Sequence, residues 1–193
     1  MTTVFLIRHG ETDWNVQGRL QGIQDTSLNE NGTKQAHACG LFLKDLEWDV
    51  LISSPMKRAK ETAYAINEHI KQEMVFEIEE LKELDFGEGS GMTKEELALA
   101  FPDGVIAGME NRDSFAERTM SALSKVLNDH SNKKVIVVAH GAVINSMLSV
   151  ISNGEMGHGK SRVDNGGITE LHYNGEKWTI TSHNKVDHLL LKK

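Results

Sequence analysis

Two short apolar runs of this sequence each end in a histidine that is followed by a glycine. Residues 3–7 lead into Arg8-His9-Gly10, and residues 134–139 lead into His140-Gly141. Both runs are typical of buried strands. The carboxyl ends of parallel strands meet at one edge of a sheet, where open α/β folds bind their ligands. We therefore expect both histidines to face one site, with the glycines letting the backbone turn and approach a ligand closely.

Two further charged residues are expected at the same edge. A second strand is predicted over residues 49–53, and Ser54-Pro55 after it is typical of a helix start, with serine as the cap and proline first in the helix. Arg58 would then lie in the first turn, where free N–H groups point and the helix dipole disfavours a cation. An anion that is bound by both the arginine and the free N–H groups of the helix would explain that placement. Glu83 follows a third predicted strand, over residues 75–78.

These residue types suit phosphoryl transfer. Two arginines and two histidines in one pocket repel each other unless an anion neutralises them, and the planar guanidinium of arginine matches phosphate oxygens. A histidine can accept a phosphoryl group covalently, and the transfer otherwise needs little beyond positioning and charge neutralisation. The carboxyl of Glu83 could protonate the leaving oxygen and then activate water. Its acidic neighbour Glu80 is the alternative for that role.

Length and composition limit the class of protein. The 193 residues are enough for one well-buried core, so we expect a single domain over residues 1–193. A net charge of −7 argues against nucleic acid and acidic membranes as partners, and no apolar run approaches the roughly 20 residues of a membrane span. The single cysteine, Cys39, excludes an internal disulfide or a cysteine-rich zinc site. With no signal-peptide pattern at the N-terminus, we expect a cytoplasmic enzyme.

Several helix starts and one hairpin can be read from local patterns. Asn29 is the expected cap of a helix that begins near Glu30. Thr93 with Glu96, and Ser114 with Glu117, match the capping-box pattern. Asn174-Gly175 lies between two strand-like runs, which is a hairpin signal.

The order of these elements predicts the fold class. Strands and helices alternate until the hairpin closes the chain, which favours an α/β fold. We expect a three-layer α/β/α sandwich with a mostly parallel central sheet and helices on both faces. Residues 13–28 are expected to form a loop. An edge strand near the tail would support a homodimer, so both monomer and homodimer stay open.

The first of these motifs extends into a longer run that resembles a known family. Leu6-Ile7-Arg8-His9-Gly10-Glu11-Thr12, followed by Asn15, resembles the signature of the histidine phosphatase superfamily, in its phosphoglycerate mutase-like branch. Four other segments resemble that family in the same order along the chain. They are Leu28-Asn29-Glu30-Asn31-Gly32 with Gln35-Ala36, Ser53-Ser54-Pro55 with Arg58-Ala59 and Glu61-Thr62-Ala63, Leu81-Lys82-Glu83, and Val138-Ala139-His140-Gly141.

The resemblance implies a phosphatase that acts on small phosphorylated metabolites without metal or other cofactor. By this resemblance His9 is the nucleophile that becomes phosphohistidine, and Glu83 is the proton donor. Arg8, Arg58 and His140 would form the phosphate pocket, with Asn15 a further donor. The loop after the signature adds Gln21 and Gly22 as candidates for lining that pocket. Gly141, directly after His140, is a further candidate for binding the phosphate.

Three alternatives remain beside hydrolysis of small phosphomonoesters in general. A phosphoglycerate mutase and an alpha-ribazole phosphatase of cobalamin synthesis would share the fold, and a non-catalytic phosphate-binding module would not need His9 or Glu83. The insertion that dedicated mutases carry between the acid and the second histidine is absent, which favours hydrolysis. Where family members often carry an aromatic residue and then a glutamate, residues 87–91 read Gly-Glu-Gly-Ser-Gly, so we expect a smaller and looser loop.

Overall fold

A six-stranded mixed sheet forms the centre of the computed structural model, which describes residues 1–190. The strands are β1 (Thr2–Arg8), β2 (Val50–Ser53), β3 (Val75–Glu77), β4 (Lys134–Ala139), β5 (Ile168–Tyr173) and β6 (Trp178–Lys185). Their order across the sheet is β3-β2-β4-β1-β5-β6. The first four of these are mutually parallel, whereas β5 runs antiparallel to both β1 and β6. The predicted sheet and its closing hairpin are therefore confirmed.

Over residues 1–190, six α-helices connect and cover the strands. They are α1 (Asp13–Val16), α2 (Glu30–Leu43), α3 (Lys57–Ile70), α4 (Lys94–Ala100), α5 (Arg112–Asp129) and α6 (Gly141–Ile151). Short 3-10 helices lie at Glu79–Leu81, Gly87–Gly89 and Asp187–Leu189. Within the part of the chain that the structure describes, none of the helices combines the length and apolar character needed to cross a membrane.

Each face of the sheet has its own apolar core because strand side chains alternate between faces. On β4, Val135 and Val137 pack with the apolar stripes of α5 and α6. Ile136 and Val138, which point the other way, pack with α2 and α3. Helices thus cover both faces of the sheet, as predicted, and β4 is buried on both sides as a central parallel strand should be.

Two predicted helix starts are wrong, and in each case a nearby side chain explains why. Helix α3 begins at Lys57 and not at Ser54-Pro55, because the Ser54 hydroxyl is engaged by His140 and Met56 occupies the cap position. Helix α5 begins at Arg112, ahead of the predicted Ser114–Glu117 box. There the side chain of Asn111 accepts the N–H groups of Asp113 and Ser114.

The other two helix starts are confirmed. The side-chain oxygen of Asn29 accepts from the N–H of Gly32, so Asn29 caps α2. Thr93 and Glu96 form the reciprocal pair of a capping box at the start of α4. Both motifs depend on residues within four positions of each other, which is why the sequence reveals them.

The loop at residues 87–91 is packed tightly, which corrects the expectation of a loose segment. The Gly91 N–H donates to the Leu20 carbonyl at 2.7 Å, and the Glu88 N–H to the Ala107 carbonyl at 3.0 Å. A Cβ at Gly87 would lie 2.2 Å from that Ala107 oxygen, and Gly87 has φ +52°. Only glycine fits both the backbone conformation and the space. The predicted loop over residues 13–28 is also partly wrong, since it begins with α1.

Candidate active site

Both candidate histidines lie where adjacent parallel strands end. Strands β1 and β4 pair in register from Thr3↔Lys134 to Arg8↔Ala139, so the next residues, His9 and His140, emerge side by side. Their ring centroids are 5.2 Å apart, and both side chains are buried. The in-register pairing therefore brings together two residues that are 131 positions apart in the sequence.

The hydrogen bonds of His9 define which ring nitrogen is free to react. Nδ1 lies 2.7 Å from the carbonyl oxygen of Gly10, and because that oxygen can only accept, Nδ1 carries the proton. The other nitrogen, Nε2, then has a lone pair, and it accepts from Nε of Arg58 at 3.3 Å. Burial, with Arg58 and Arg8 nearby, holds the pKa of His9 well below its usual value. The imidazole is therefore neutral at pH 7, as a nucleophile must be.

Arg58 is the most deeply enclosed charge at this edge, with no exposed surface. Its Nη1 donates to the carbonyl of Gln24 at 2.7 Å and its Nη2 to the carbonyl of Gly22 at 2.8 Å. The segment after α1 therefore wraps around the guanidinium and aims its Nε at His9. Burial lowers the pKa of Arg58 to about 10, which still leaves a full positive charge at pH 7.

Two buried polar atoms at this edge have no hydrogen-bond partner within residues 1–190, namely Arg8 Nε and His140 Nδ1. Arg8 is otherwise anchored through Nη1 to the carbonyl of Val163 at 2.7 Å, and His140 through Nε2 to the Ser54 hydroxyl at 2.8 Å. A Cβ on Gly141 would lie 3.4 Å from Arg8 Nε. Buried polar atoms are nearly always paired in folded proteins, so these atoms indicate a site for a polar ligand.

The electrostatics of this edge favour an anion. Burial lowers the pKa of Arg8, and burial with the charge of Arg58 holds the pKa of His140 well below its usual value. The two histidines are therefore neutral, and the two arginines supply the positive charge. Helix α6 also begins here, at Gly141, and in its first turn the N–H of Ala142 already donates to the Glu83 carboxylate, as expected for an anion at a helix N-terminus.

The side chain of Glu83 contacts the first turn of α6, close to His140. Its Oε2 accepts from the N–H of Ala142 at 3.3 Å, and its Oε1 from the N–H of Leu84 at 3.0 Å. Only 8 % of the residue is exposed. The alternative acid, Glu80, forms an ion pair with Lys125 of α5. The positions of these two carboxylates favour Glu83 for the acid role.

Asn15 and Gln21 occupy supporting positions. Oδ1 of Asn15 accepts from the N–H of Thr12 at 3.1 Å and from Nδ2 of Asn165 at 3.1 Å. Its oxygen therefore completes the capping box of α1, whose N-cap is Thr12, and links this helix to the chain before β5. Its amide NH2 group is the end that can donate to a phosphate. The side chain of Gln21 accepts from the Thr26 hydroxyl and so braces the segment around Arg58.

Several contacts that support the site were not predicted from the sequence. The hydroxyl of Ser54 orients His140, and Nδ2 of Asn165 donates to the His9 carbonyl at 2.9 Å. Thr62 of α3 accepts from the N–H of Gly10 at 3.0 Å. Gly10 itself is needed for packing, because a Cβ there would lie 2.3 Å from the carbonyl oxygen of Gly32. Such contacts join segments that are distant in sequence.

A cavity of about 310 Å³ opens beside Leu84 and Ala142, the residues whose N–H groups hold the Glu83 carboxylate. Phe86, Phe115 and Met156 give it an apolar wall. Its basic residues are Arg112, His158 and Lys160. No carboxylate lines it in the described part of the chain. It suits a group that is partly apolar and partly anionic.

Outside this edge of the sheet, the free cysteine and the grouping of possible metal ligands can be described. Cys39 is buried on α2, and burial raises the pKa of its thiol to about 12, so it is not a thiolate at neutral pH. Over residues 1–190, no three or more His, Cys, Asp or Glu side chains are grouped so that they could hold a metal ion.

Comparison with known proteins gives consistent matches along nearly the whole chain. The family model described as histidine phosphatase superfamily (branch 1) matches residues 4–186. An uncharacterized phosphatase, PhoE, of Bacillus subtilis is 42% identical over 98% of this chain and 97% of its own length. A metal-independent phosphoserine phosphatase of Arabidopsis thaliana is 35% identical over 98% of this chain and 84% of its own length.

A solved structure supports the same fold. The phosphoserine phosphatase of Entamoeba histolytica, in complex with 3-phosphoglyceric acid, superimposes with a TM-score of 0.86 at 32% identity. The match covers 98% of this chain and all of that one. The similarity therefore extends over the sheet, both helical layers and the segments that carry the site.

Proposed function

Because this chain belongs to branch 1 of the histidine phosphatase superfamily, we propose that it hydrolyses small phosphomonoesters through a phosphohistidine intermediate on His9. It is a phosphoric monoester hydrolase, in line with the two relatives above that are named phosphatases. The observation that carries the proposal is the contact of His9 Nδ1 with the Gly10 carbonyl, from which the tautomer of His9 follows. A neutral, buried imidazole presents the lone pair of Nε2 beside the guanidinium of Arg58.

In the first step, Nε2 of His9 attacks the phosphorus and the bond between phosphorus and the ester oxygen breaks. The carboxyl of Glu83 gives its proton to that oxygen, so the product leaves as a neutral alcohol. Arg8 and Arg58 bind the equatorial oxygens, whose charge must be neutralised in the transition state. The buried, unpaired Nδ1 of His140 and Nε of Arg8 gain partners when the phosphoryl group arrives.

In the second step, water hydrolyses the phosphohistidine. The carboxylate of Glu83 accepts a proton from the water molecule while the water oxygen attacks phosphorus. The bond between phosphorus and Nε2 of His9 then breaks. Inorganic phosphate leaves, while His9 regains its lone pair and Glu83 its proton. Both steps use the same residues, and no metal or other cofactor takes part in the proposed reaction.

The alcohol half of the substrate would occupy the cavity beside Leu84 and Ala142. The leaving oxygen must contact Glu83, and this cavity begins at the two residues that hold the Glu83 carboxylate. An apolar wall with three basic residues and no carboxylate suits an alcohol with some carbon surface and a second anionic group. Phosphoserine and 3-phosphoglycerate are small members of that class and belong in the first substrate panel.

The experiment that tests the proposal measures phosphate release from such a panel, with the isomer of 3-phosphoglycerate monitored in the same tubes. We expect phosphate release without isomerisation, and unchanged rates after treatment with EDTA. Isomerisation that 2,3-bisphosphoglycerate stimulates would instead assign the chain as a mutase. If no ester is turned over, p-nitrophenyl phosphate included, the chain would be a non-catalytic phosphate-binding module.

A quench experiment tests the covalent step separately. Rapid mixing with a labelled ester, followed by an alkaline quench, should leave one phosphoryl group per chain on a histidine. Mass spectrometry of the digested chain should locate it on His9. A label on another residue would contradict the assigned nucleophile even if hydrolysis itself were confirmed.

A further inference from the structure

We propose that Arg118 is a positioning residue for the reaction, because it fixes the backbone that carries Glu83. The inference rests on the proposed role of Glu83 as the acid. Glu83 lies in an irregular stretch between the 3-10 helices at Glu79–Leu81 and Gly87–Gly89. Such a stretch lacks the repeated backbone hydrogen bonds of a helix or strand, so other groups must hold it.

The guanidinium of Arg118 supplies those hydrogen bonds. Its Nη1 donates to the carbonyls of Glu80 at 2.9 Å and Lys82 at 2.6 Å, and its Nη2 donates to the carbonyl of Glu83 at 3.0 Å. Three carbonyls within four residues thus converge on one side chain. Because Arg118 lies on α5, the stretch is tied to a long helix packed on the sheet.

Glu110 completes the arrangement from the other side. Nε of Arg118 donates to its Oε1 at 2.6 Å, and Nη2 donates to its Oε2 at 2.8 Å. The same carboxylate accepts from the N–H of Asp85 at 3.3 Å, and the Glu110 N–H donates to the Asp85 carbonyl at 2.9 Å. All five N–H donors of the arginine are used.

Arg118 acts on the backbone of Glu83 and not on its carboxylate. The two carboxylate oxygens have their own donors, the N–H groups of Leu84 and Ala142. The Arg118 guanidinium lies over the Phe115 ring, 4.7 Å from the ring centroid, and this cation–π contact helps to fix its orientation. Lysine would not replace it, because an ammonium is a single point and cannot reach three carbonyls and a carboxylate together.

The test compares esters that differ in their need for a proton. An alkyl phosphate with a poor leaving group needs the acid, whereas an activated aryl phosphate does not. In Arg118→Met we expect kcat/KM for the alkyl ester to fall by about 10²-fold and that for the aryl ester by less than about 3-fold. The inhibition constant of inorganic phosphate should not change, since Arg118 does not touch the phosphate-binding residues.

Two reference variants make the result decisive. Lys125 is a cation on the same helix, and it contacts the side chain of Glu80 and not the backbone of Glu83. Lys125→Met should therefore leave kcat/KM unchanged for both esters. Glu83→Gln should reproduce the selective loss for the alkyl ester. If Glu83→Gln shows no selectivity, the acid assignment fails. If Glu83→Gln is selective but Arg118→Met lowers kcat/KM equally for both esters, Glu83 remains the acid and the positioning role of Arg118 is overturned.

A double variant tests whether the two residues act in one unit. Adding Arg118→Met to Glu83→Gln should cause no further selective loss, because the acid that Arg118 positions is already gone. Multiplicative losses would contradict the inference. If Arg118→Met does not fold, Arg118→Lys serves in its place, since it keeps the charge over Phe115 but loses the fork. The lysine variant should show the same preference for the aryl ester, and wild-type behaviour would overturn the proposal.

Discussion

The two halves of the candidate site are built in different ways. The phosphate half consists of Arg8, His9, Arg58 and His140, which lie at strand ends or in the first turn of a long helix. The leaving-group half consists of Glu83 and the cavity lined by residues from 84–86, α5, α6 and 154–160. Its acid is on irregular backbone. The residues of the first half belong to regular elements or directly follow them, whereas the acid of the second half lies on irregular backbone that side-chain hydrogen bonds hold.

The difference suggests how the work of the enzyme is divided. Phosphoryl transfer needs the same charges whatever the alcohol, so its residues can be fixed by the sheet itself. The alcohol varies between substrates, and the segment that meets it is irregular, as binding loops on rigid scaffolds commonly are. Substitutions in the phosphate half should therefore reduce activity on every ester, and those in the leaving-group half should change the ranking of esters.

The largest effect is expected from the nucleophile. His9→Ala should lower kcat for every ester by at least about 10³-fold, because no covalent intermediate can form. Phosphate release and the alkaline-quench label would both be measured. His130→Ala, at the C-terminal end of α5, is the matched control and should be fully active. Substantial turnover by the His9 variant would refute the covalent mechanism.

A large and uniform effect is expected at Arg58. Arg58→Met removes a buried cation beside the reacting nitrogen, and kcat/KM should fall by about 10²–10³-fold on alkyl and aryl esters alike. Lys57→Met, its exposed neighbour on α3, provides the control. A loss confined to one class of ester would mean that the division between the two halves is wrong.

A smaller, selective effect is expected in the cavity. Phe86→Ala removes part of its apolar wall, so kcat/KM for the larger esters should fall by roughly 10-fold relative to the smallest ones. Inhibition by inorganic phosphate should stay the same. Phe76→Ala, a partly exposed phenylalanine on β3, makes the same change outside the cavity. An equal loss for all esters would show that the alcohol does not bind there.

The smallest effect concerns stability as a function of pH. The folded-state pKa values of His9 and His140 lie well below 6.5, so between pH 6.5 and those values the unfolded chain binds protons that the folded chain does not. The free energy of unfolding should therefore fall as the pH drops below about 6.5, by about 1.4 kcal/mol per pKa unit of difference for each histidine.

Urea unfolding at a series of pH values measures this dependence. His140→Asn should show a shallower decline below pH 6.5, because one of the two groups that take up a proton on unfolding is gone. Equal slopes in the wild-type and His140→Asn proteins would mean that His140 is not held neutral by the fold.

The positions of Arg8, His9 and His140 at one edge of the sheet could be predicted from the sequence. An arginine and a histidine directly after an apolar run, and a second histidine after another, are local patterns, and parallel strands place such ends at the same edge of a sheet. The same applies to the caps at Asn29 and Thr93, whose partners are within four residues. The fold class followed from the alternation of these local elements.

The sequence by itself determined the residue types at the strand ends, the family and the alternating layers. The tertiary structure decided the tautomer of His9, the enclosure of Arg58 by Gly22 and Gln24, and the hold of Arg118 on the Glu83 backbone. The physical reason is that each of these depends on a carbonyl whose direction follows from irregular backbone. Carbonyl groups are the same in every residue, so their use as partners leaves no trace in the order of side chains.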